Sequence, residues 1–398
     1  MKIILTFILL ITLFPLAFAQ QAPASIAQQL YSFSPMAQIY LKHLGLADKN
    51  SNGVIDKDNG EGYEAFTAKY DNADVGFHAN GVVLGVANGK LEEPEIINHY
   101  YINIRFKPDY QKETAVIESE VKAYIYANNI PLVWLDDQQG TVMNTVNKVL
   151  GEGWQDKQVS ESEAEKMFQQ VVSTMNIKGL TGTPSKNNGY YTLPNFVKQQ
   201  SGYCFEIAQF GFWFFSQLQI RSLVVDTALT SSLLHAVIKL NNSNTIIDYF
   251  RTSNPFNVPI NRWTNFNPIQ SIGNYYYVIA RTKNSQLFAE QSVIYNKYDI
   301  PLIAYLMNMY SNNPRPNHIE IIEMGEFILK NVDIPRVMTS DVKDINNIKN
   351  TFERILSVLI ESYSATRNRT GFNNVERLLD QYYSHDSKAK PFLDYYRF

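Results

Sequence analysis

One cysteine, Cys204, is the only thiol among 398 residues, and it stands far behind an apolar leader. After Lys2, residues 3–16 are almost wholly apolar, and Ala17-Phe18-Ala19 offers a small-x-small cleavage pattern. The leader therefore reads as a signal peptide cut after Ala19, and the mature protein is expected to be secreted or periplasmic. A lone thiol cannot form an intramolecular disulfide, so an exported chain of this kind must hold its fold by a hydrophobic core. With 45% hydrophobic and 18% charged residues it has the material for one. The thiol is then inert, paired with another molecule, or kept for its reactivity, and its surroundings decide which.

A formal net charge of -3 supplies no basic field for nucleic acid, and no Lys/Arg run is long enough to hold an acidic membrane. No stretch after the leader is apolar enough to span a bilayer once the signal is removed.

The pattern along the chain predicts an α+β fold. Residues 35–47 read as a helix, 48–62 as a polar loop and 63–70 as a second short helix. Runs at 81–86 and 100–106, separated by Gly and by Pro94, read as a small sheet or hairpin. Helical spacing covers 112–128, Ser160-Glu161-Ser162-Glu163 opens another helix, and 178–194 is a loop. Cys204 then begins an apolar stretch to 218, too long for one strand, which reads as a buried helix with the thiol at its N-terminus. Strands are expected at 221–226, 234–240, 244–250 and 275–281, with Asn241-Asn242-Ser243 as the turn between the second and third. Amphipathic helical patterns fill 302–310, 318–330, 345–366 and 374–383. These elements divide the mature chain into an N-terminal α/β region (20–110), a core (111–285) and a helical C-terminal region (286–398).

A thiol attacks a carbonyl as thiolate, which needs a base and a positive environment, and a helix N-terminus supplies part of the latter. Between His99 and His318 only His235 occurs, and it stands at the start of a strand. Asp248, in the next strand of the same hairpin, can fix the imidazole tautomer. The turn places residues 235 and 248 about six positions from the hairpin tip on either side, so they can face each other. The competing reading makes Cys204 a core residue, His235 a satisfied buried histidine and Asp248 a strand-end cap.

Gly202-Tyr203-Cys204-Phe205-Glu206 with Ala208, then His235-Ala236-Val237, then Ile246-Ile247-Asp248, resemble the transglutaminase-like branch of the papain-like cysteine enzymes. The resemblance covers roughly 160–281, and Arg221-Ser222-Leu223-Val224-Val225 is similar to the segment that carries an Arg between Cys and His. It implies a helix bearing Cys204 packed on antiparallel strands bearing His235 and Asp248, and acyl transfer from protein or peptide amides through a thioester, with no organic cofactor. Oxyanion donors would be the Cys204 N–H and a side-chain amide from Gln199 or Gln200. Glu206, one turn into the helix, favours the helix start or pairs with Arg221. The chain departs from the family at Val237, where an aromatic is common, and at Tyr249-Phe250, where a Pro often follows the aspartate. Three activities stay open: an acyltransferase with an amine acceptor, a hydrolase (cysteine peptidase or amidase) with water, and an inactive, calcium-stabilised binding module.

Residues 48–61 carry a second motif. Asp48, Asn50 and Asn52 fall at positions 1, 3 and 5 of an EF-hand loop, Gly53 at 6, the Val54 carbonyl at 7 and Asp56 at 9. Position 12 is Asn59 instead of Glu, so either Asn59 closes the loop weakly or a loop longer by two is closed by Glu61. Seven or so oxygens suit Ca²⁺, expected here as a structural clamp.

Overall fold

The computed structural model describes residues 25–70, 89–130, 137, 140–180, 192–228, 234–249, 263–332, 334–339, 345–383 and 387–397. The leader and the 81–86 run lie outside these residues.

Ser25 and Ser34 cap α1 (Ile26–Leu30) and α2 (Pro35–Leu44), each accepting a first-turn N–H, and Gly45 ends α2 in the left-handed region at φ 73°. Strand β1 (Val54–Asp56) is followed by α3 (Tyr63–Lys69), β2 (Lys90–Glu92) and α4 (Glu93–His99). β1 and β2 are antiparallel, with Ile55 opposite Leu91. The run expected as a strand at 100–106 is instead a π-helical turn over Tyr100–Ile104 that continues α4. Its aromatic and β-branched residues fit a strand by propensity, but tertiary packing decides. Tyr100, Tyr101 and Ile104 are all buried, and the Tyr101 hydroxyl meets that of Tyr40 at 2.6 Å.

Helices α5 (Gln111–Ala127), α6 (Thr141–Leu150) and α7 (Glu161–Thr174) follow, the last opened by a capping box between Ser160 and Glu163. The two-residue strands β3 (Lys178–Gly179) and β4 (Ser201–Gly202) pair in parallel around α8 (Leu193–Gln199), and β4 leads directly into α9 (Cys204–Gln217). Every residue from Phe205 to Phe215 is buried. α9 lies on an antiparallel sheet of β5 (Ser222–Ala228), β6 (Leu234–Leu240), β7 (Ile246–Ile247) and β8 (Trp263–Phe266), in the order β7-β6-β5-β8. β7 is shorter than the expected 244–250 strand, and β8 was not expected.

The strand expected at 275–281 is corrected by α10 (Pro268–Lys283). Its start signal is local: Asn267 and Gln270 form a reciprocal capping box, and Pro268 holds the first helical position. The C-terminal region is α11 (Gln286–Tyr295), α12 (Ile300–Ser311), α13 (His318–Asn331), α14 (Ile334–Thr339), α15 (Ile345–Ala365), α16 (Arg369–Tyr382) and α17 (Lys390–Tyr396). The fold is thus mixed α and β, mainly helical, with small sheets. No helix among the described residues is long and apolar enough to cross a membrane.

Two large apolar cores result. One runs from Phe33 to Ile272 and includes Tyr295, so the N-terminal region and the Cys204 helix share it. The other joins Ile26 and Leu30 to residues from Ala280 to Leu393, and α10 supplies side chains to both. A buried lysine between α11 and α12 reaches the N-terminal region: Lys297 Nζ donates to the Ser32 carbonyl at 2.8 Å and lies 3.7 Å from Glu93 Oε2. Burial pushes the Lys297 pKa down, and the carboxylates of Glu93, Glu92 and Asp48 act against that fall.

At Gly211, α9 and the sheet come close together. A Cβ there would stand 2.0 Å from Ile238 Cδ1, 2.9 Å from Ile238 Cγ1 and 3.1 Å from the Phe168 ring. Gly211→Ala should therefore destabilise the fold by about 1–3 kcal/mol through overpacking. Adding Ile238→Val, which removes Cδ1, should restore part of the loss. Urea midpoints check both, and an unshifted midpoint for Gly211→Ala would contradict this packing.

Candidate active site

Cys204 is the first residue of α9, where the first-turn N–H groups have no partner within the helix. Its thiol is partly exposed, although the aromatic body of the helix behind it is buried. His235 is the second residue of β6 and is 5% exposed, so the imidazole is almost fully removed from water. Asp248 follows the last residue of β7, and its Oδ2 stands 2.9 Å from His235 Nε2. The register Ile238↔Ile247 puts position 248 opposite Val237, which makes Asp248 the diagonal neighbour of His235 on one face of the hairpin. Direct opposition, the arrangement counted from the turn, is off by two residues, and the face is kept. The Cys204 thiol is a further hydrogen-bonding partner of the same imidazole. With Nε2 given to Asp248, proton exchange with sulfur falls to Nδ1.

Burial of His235 acts to lower its pKa. The hydrogen bond to Asp248, then the hydrogen bond to Cys204 and the charges of both partners, outweigh burial and push the imidazole up to about 9. The arrangement favours an imidazolium within reach of the sulfur. Tyr249, where the family often has proline, packs its ring 5.3 Å from that of Phe168 and donates from its hydroxyl to the Glu165 carbonyl at 3.4 Å. This anchors the chain directly after Asp248.

Gln199 ends α8 and Gln200 caps it in the left-handed region at φ 51°, and both side chains are exposed. Gln200 instead contributes its carbonyl, which accepts the Lys178 N–H at 2.9 Å in the β3–β4 pair. Glu206 is fully buried and accepts the Tyr203 N–H at 2.7 Å, so it acts at the helix start. Arg221 stands just before β5 and its carbonyl accepts the Asn241 N–H at 2.9 Å.

The 48–61 segment forms a closed loop. The Asp48 carboxylate accepts the N–H groups of Asn52 at 3.1 Å and Gly53 at 2.9 Å, and Gly53 makes the sharp turn at φ 78°. Glu61, 1% exposed, is the closing carboxylate: it accepts from the N–H groups of Lys49 at 2.9 Å and Asp56 at 2.6 Å. Asn59 turns to Asp56 instead, at 3.0 Å. The side-chain amides of Asn50 and Asn52 meet the same Asp56 oxygen at 2.8 and 2.7 Å. Partial burial acts to raise the Asp56 pKa, but these two amides and Lys90 hold it below the usual carboxylate range. Among the described residues no group of three or more His, Cys, Asp or Glu side chains is arranged to hold a metal. Asp48, Asp56 and Glu61 are thus not gathered into one carboxylate cluster, and any cation here would draw also on the Val54 carbonyl and the side-chain oxygens of Asn50, Asn52 and Asn59. The Asn50 and Asn52 side-chain oxygens accept the backbone N–H groups of Asn52 and Val54, each at 3.0 Å, which orients their amide nitrogens to Asp56.

The sequence reading missed the partner of this loop. Gly89, at φ 74°, precedes Leu91 and Glu92 as Gly53 precedes Ile55 and Asp56, and Ile55 and Leu91 pair across the two strands. Glu95 Oε2 accepts the Glu92 N–H at 2.9 Å, as Glu61 accepts that of Asp56. The repeated spacing of glycine, apolar residue and acid was the available signal.

Set against models of known families and against characterised proteins, the chain finds no match.

The raised imidazole pKa has a pH consequence with a definite sign. Since the folded value lies above the ordinary value near 6.5, the stabilisation from protonated His235 is complete below that value and is lost as pH rises through about 9. NMR titration of the imidazole should show its inflection near 9 in the parent. In Asp248→Asn it should fall by roughly one unit or more towards the ordinary value. An inflection below neutrality in the parent would overturn the ion-pair arrangement.

Proposed function

We propose that the chain is an exported, cysteine-dependent acyl-transfer enzyme of transglutaminase-like type, with a papain-like core, acting on amide groups of proteins or peptides. The observation that carries the reading is one buried imidazole shared by Asp248 at 2.9 Å and by the thiol at the start of α9. The leader pattern supports export.

In the first half-reaction the Cys204 thiolate adds to the amide carbonyl carbon, forming the C–S bond and placing the negative charge on oxygen. The Cys204 N–H faces that oxygen, and a second donor would come from Gln199 or Gln200 turning in from solvent. Collapse breaks the C–N bond, and imidazolium His235 gives its proton to the departing nitrogen. Ammonia or an amine leaves and a thioester remains. In the second half-reaction an amine attacks the thioester, His235 takes its proton, collapse breaks the C–S bond, and the new amide leaves with the Cys204 thiolate and imidazolium His235 restored. Asp248 holds the ring in the tautomer and orientation that both steps need.

The test is incubation with a glutamine-containing peptide and a labelled amine. Ammonia release with label incorporation is expected, and Cys204→Ala should reduce it by about a thousandfold or more. Peptide cleavage without incorporation would assign water as the acceptor and make the protein a peptidase or amidase. No turnover, with a thiol that alkylates only after unfolding, would assign the inactive binding module.

We infer that the 48–61 loop holds Ca²⁺ as a clamp on the N-terminal region, supported by its oxygen-bearing side chains and by the Glu61 closure. Ca²⁺ at a hundred times its dissociation constant should stabilise the parent by about 2.7 kcal/mol. Thermal melts with calcium and with chelator, alongside calorimetric titration, should show this gain, and Asp48→Ala/Asp56→Ala should abolish it. No binding heat in the parent sinks the assignment.

A further inference from the structure

We propose that Glu206 is the positioning residue that aims the Cys204 N–H at the oxyanion. The proposal rests on the acyl-transfer reading and names the group that makes that site competent. Helix starts are ordinarily closed by a Ser, Thr, Asp or Asn side chain, which accepts an N–H of the first turn. At α9 the N-cap is Tyr203, and the buried carboxylate three residues on reaches the other way. Glu206 Oε2 takes the Tyr203 N–H at 2.7 Å, outside the helix.

Room for that contact is made by Gly202. A Cβ on Gly202 would stand 2.6 Å from Glu206 Oε2, and 2.6 and 2.7 Å from two carbons of the Phe196 ring. Gly202 is absent from the glycines with positive φ, so a side chain is excluded here by space rather than by backbone conformation. The segment is tied on its other groups as well. The Gln200 carbonyl accepts from Lys178 at 2.9 Å and the Gly202 carbonyl accepts from Leu180 at 2.7 Å. Glu206 fixes the Gly202–Tyr203 peptide plane through the Tyr203 N–H, and the next plane, between Tyr203 and Cys204, starts from it and is held by the Tyr203 carbonyl, which accepts the Ile207 N–H at 3.1 Å. That plane carries the Cys204 N–H.

A buried carboxylate in the first turn is electrostatically unhelpful to a thiolate and to an oxyanion, since like charges repel. Its charge is felt as far as Tyr275 on α10, whose pKa is raised by burial first and by Glu206 second. What the carboxylate offers in return is a short, charge-assisted hydrogen bond that fixes geometry. The role is therefore one of placement, and placement can be separated experimentally from thiol reactivity.

Alkylation of Cys204 by iodoacetamide is a displacement at carbon that develops no oxyanion, whereas acylation by p-nitrophenyl acetate passes through one. Glu206→Ala should reduce the acylation rate by about a hundredfold to a thousandfold, the loss expected for one oxyanion donor. Its alkylation rate should not fall below that of the parent, because the thiol and His235 are untouched and the repelling charge is gone. Glu206→Asp keeps the charge and withdraws the acceptor, so it should lose acylation as well. Glu206→Gln keeps an acceptor oxygen at the same reach and should restore acylation to within about tenfold of the parent. Circular dichroism and melts establish that each variant is folded, and the Asp and Gln pair decides the matter if the Ala variant does not fold. Equal loss of both rates, or acylation unchanged in Glu206→Asp, would overturn the proposal. A parent that alkylates readily but is not acylated would bring down the acyl-transfer reading, and this role with it.

Discussion

A helix that is apolar on every side must be enclosed on every side, and α9 is such a helix. Its buried residues run without a break from Phe205 to Phe215, and the rest of the large core is arranged around them. Trp154 stacks on Phe214 with ring centres 4.8 Å apart, Phe168 packs against Phe210, Phe214 and Phe215, and the sheet approaches at Gly211. Each large side chain so enclosed contributes on the order of 1.5–3 kcal/mol relative to exposure. From α10, Ser271 Oγ receives the Gln209 amide at 2.9 Å, which satisfies the one buried glutamine of the helix. The N-terminus of α9 is thereby held by packing along the whole helix, and Cys204 takes its place from that frame.

Geometry at the thiol is governed by backbone, and reactivity by the imidazole. The two are supplied by different parts of the chain: the β4–α9 turn on one side and the β6–β7 hairpin on the other. Neither His235 nor Asp248 has much access to water, with side chains 6% and 5% exposed. A charge pair in such a place is costly unless each partner is hydrogen-bonded, and removal of one leaves the other stranded. The raised His235 pKa expresses that dependence, because burial alone would have lowered it.

The local chemistry was legible in the sequence and the long-range packing was not. Ser160-x-x-Glu163 announced α7, and the apolar run after Cys204 announced a helix too long to be a strand. Cys204, His235 and Asp248 were readable because each reactive type is scarce in its stretch of chain. Tyr100–Ile104 and the stretch from Tyr275 to Arg281 were misread as strands for one reason: aromatic and β-branched residues fit a half-buried pleat or a buried helical face equally well. For α10 the deciding signal lay upstream, in Asn267-Pro268 with Gln270, outside the aromatic run itself. β8 pairs with β5 across some forty intervening residues, Val224 opposite Phe266, and no local pattern announces such a partner. Glu206 stood in plain view, but its direction of reach depends on the space left by Gly202, which only the folded chain reveals.

Asp56 on β1 and Glu92 on β2 present one electrostatic problem solved in two ways. Around Asp56 the carboxylate is met by the amides of Asn50, Asn52 and Asn59 and by Lys90 at 3.4 Å. Around Glu92 burial is deeper, and its carboxyl is raised well above the usual range by burial first and by the charge of Glu95 second. There the opposing positive charge comes mainly from Lys297, a residue from the far side of the chain. The same ammonium sits 3.7 Å from Glu93, and Tyr298 beside it donates its hydroxyl to the Gly53 carbonyl at 3.2 Å. Asp56 is thus balanced by neutral amides and a nearby lysine, and Glu92 mainly by Lys297. Lys297 also donates to the Ser32 carbonyl, so the side chain that balances Glu92 joins the segment between α1 and α2 to the α11–α12 connection, beside the packing that α10 gives to both cores.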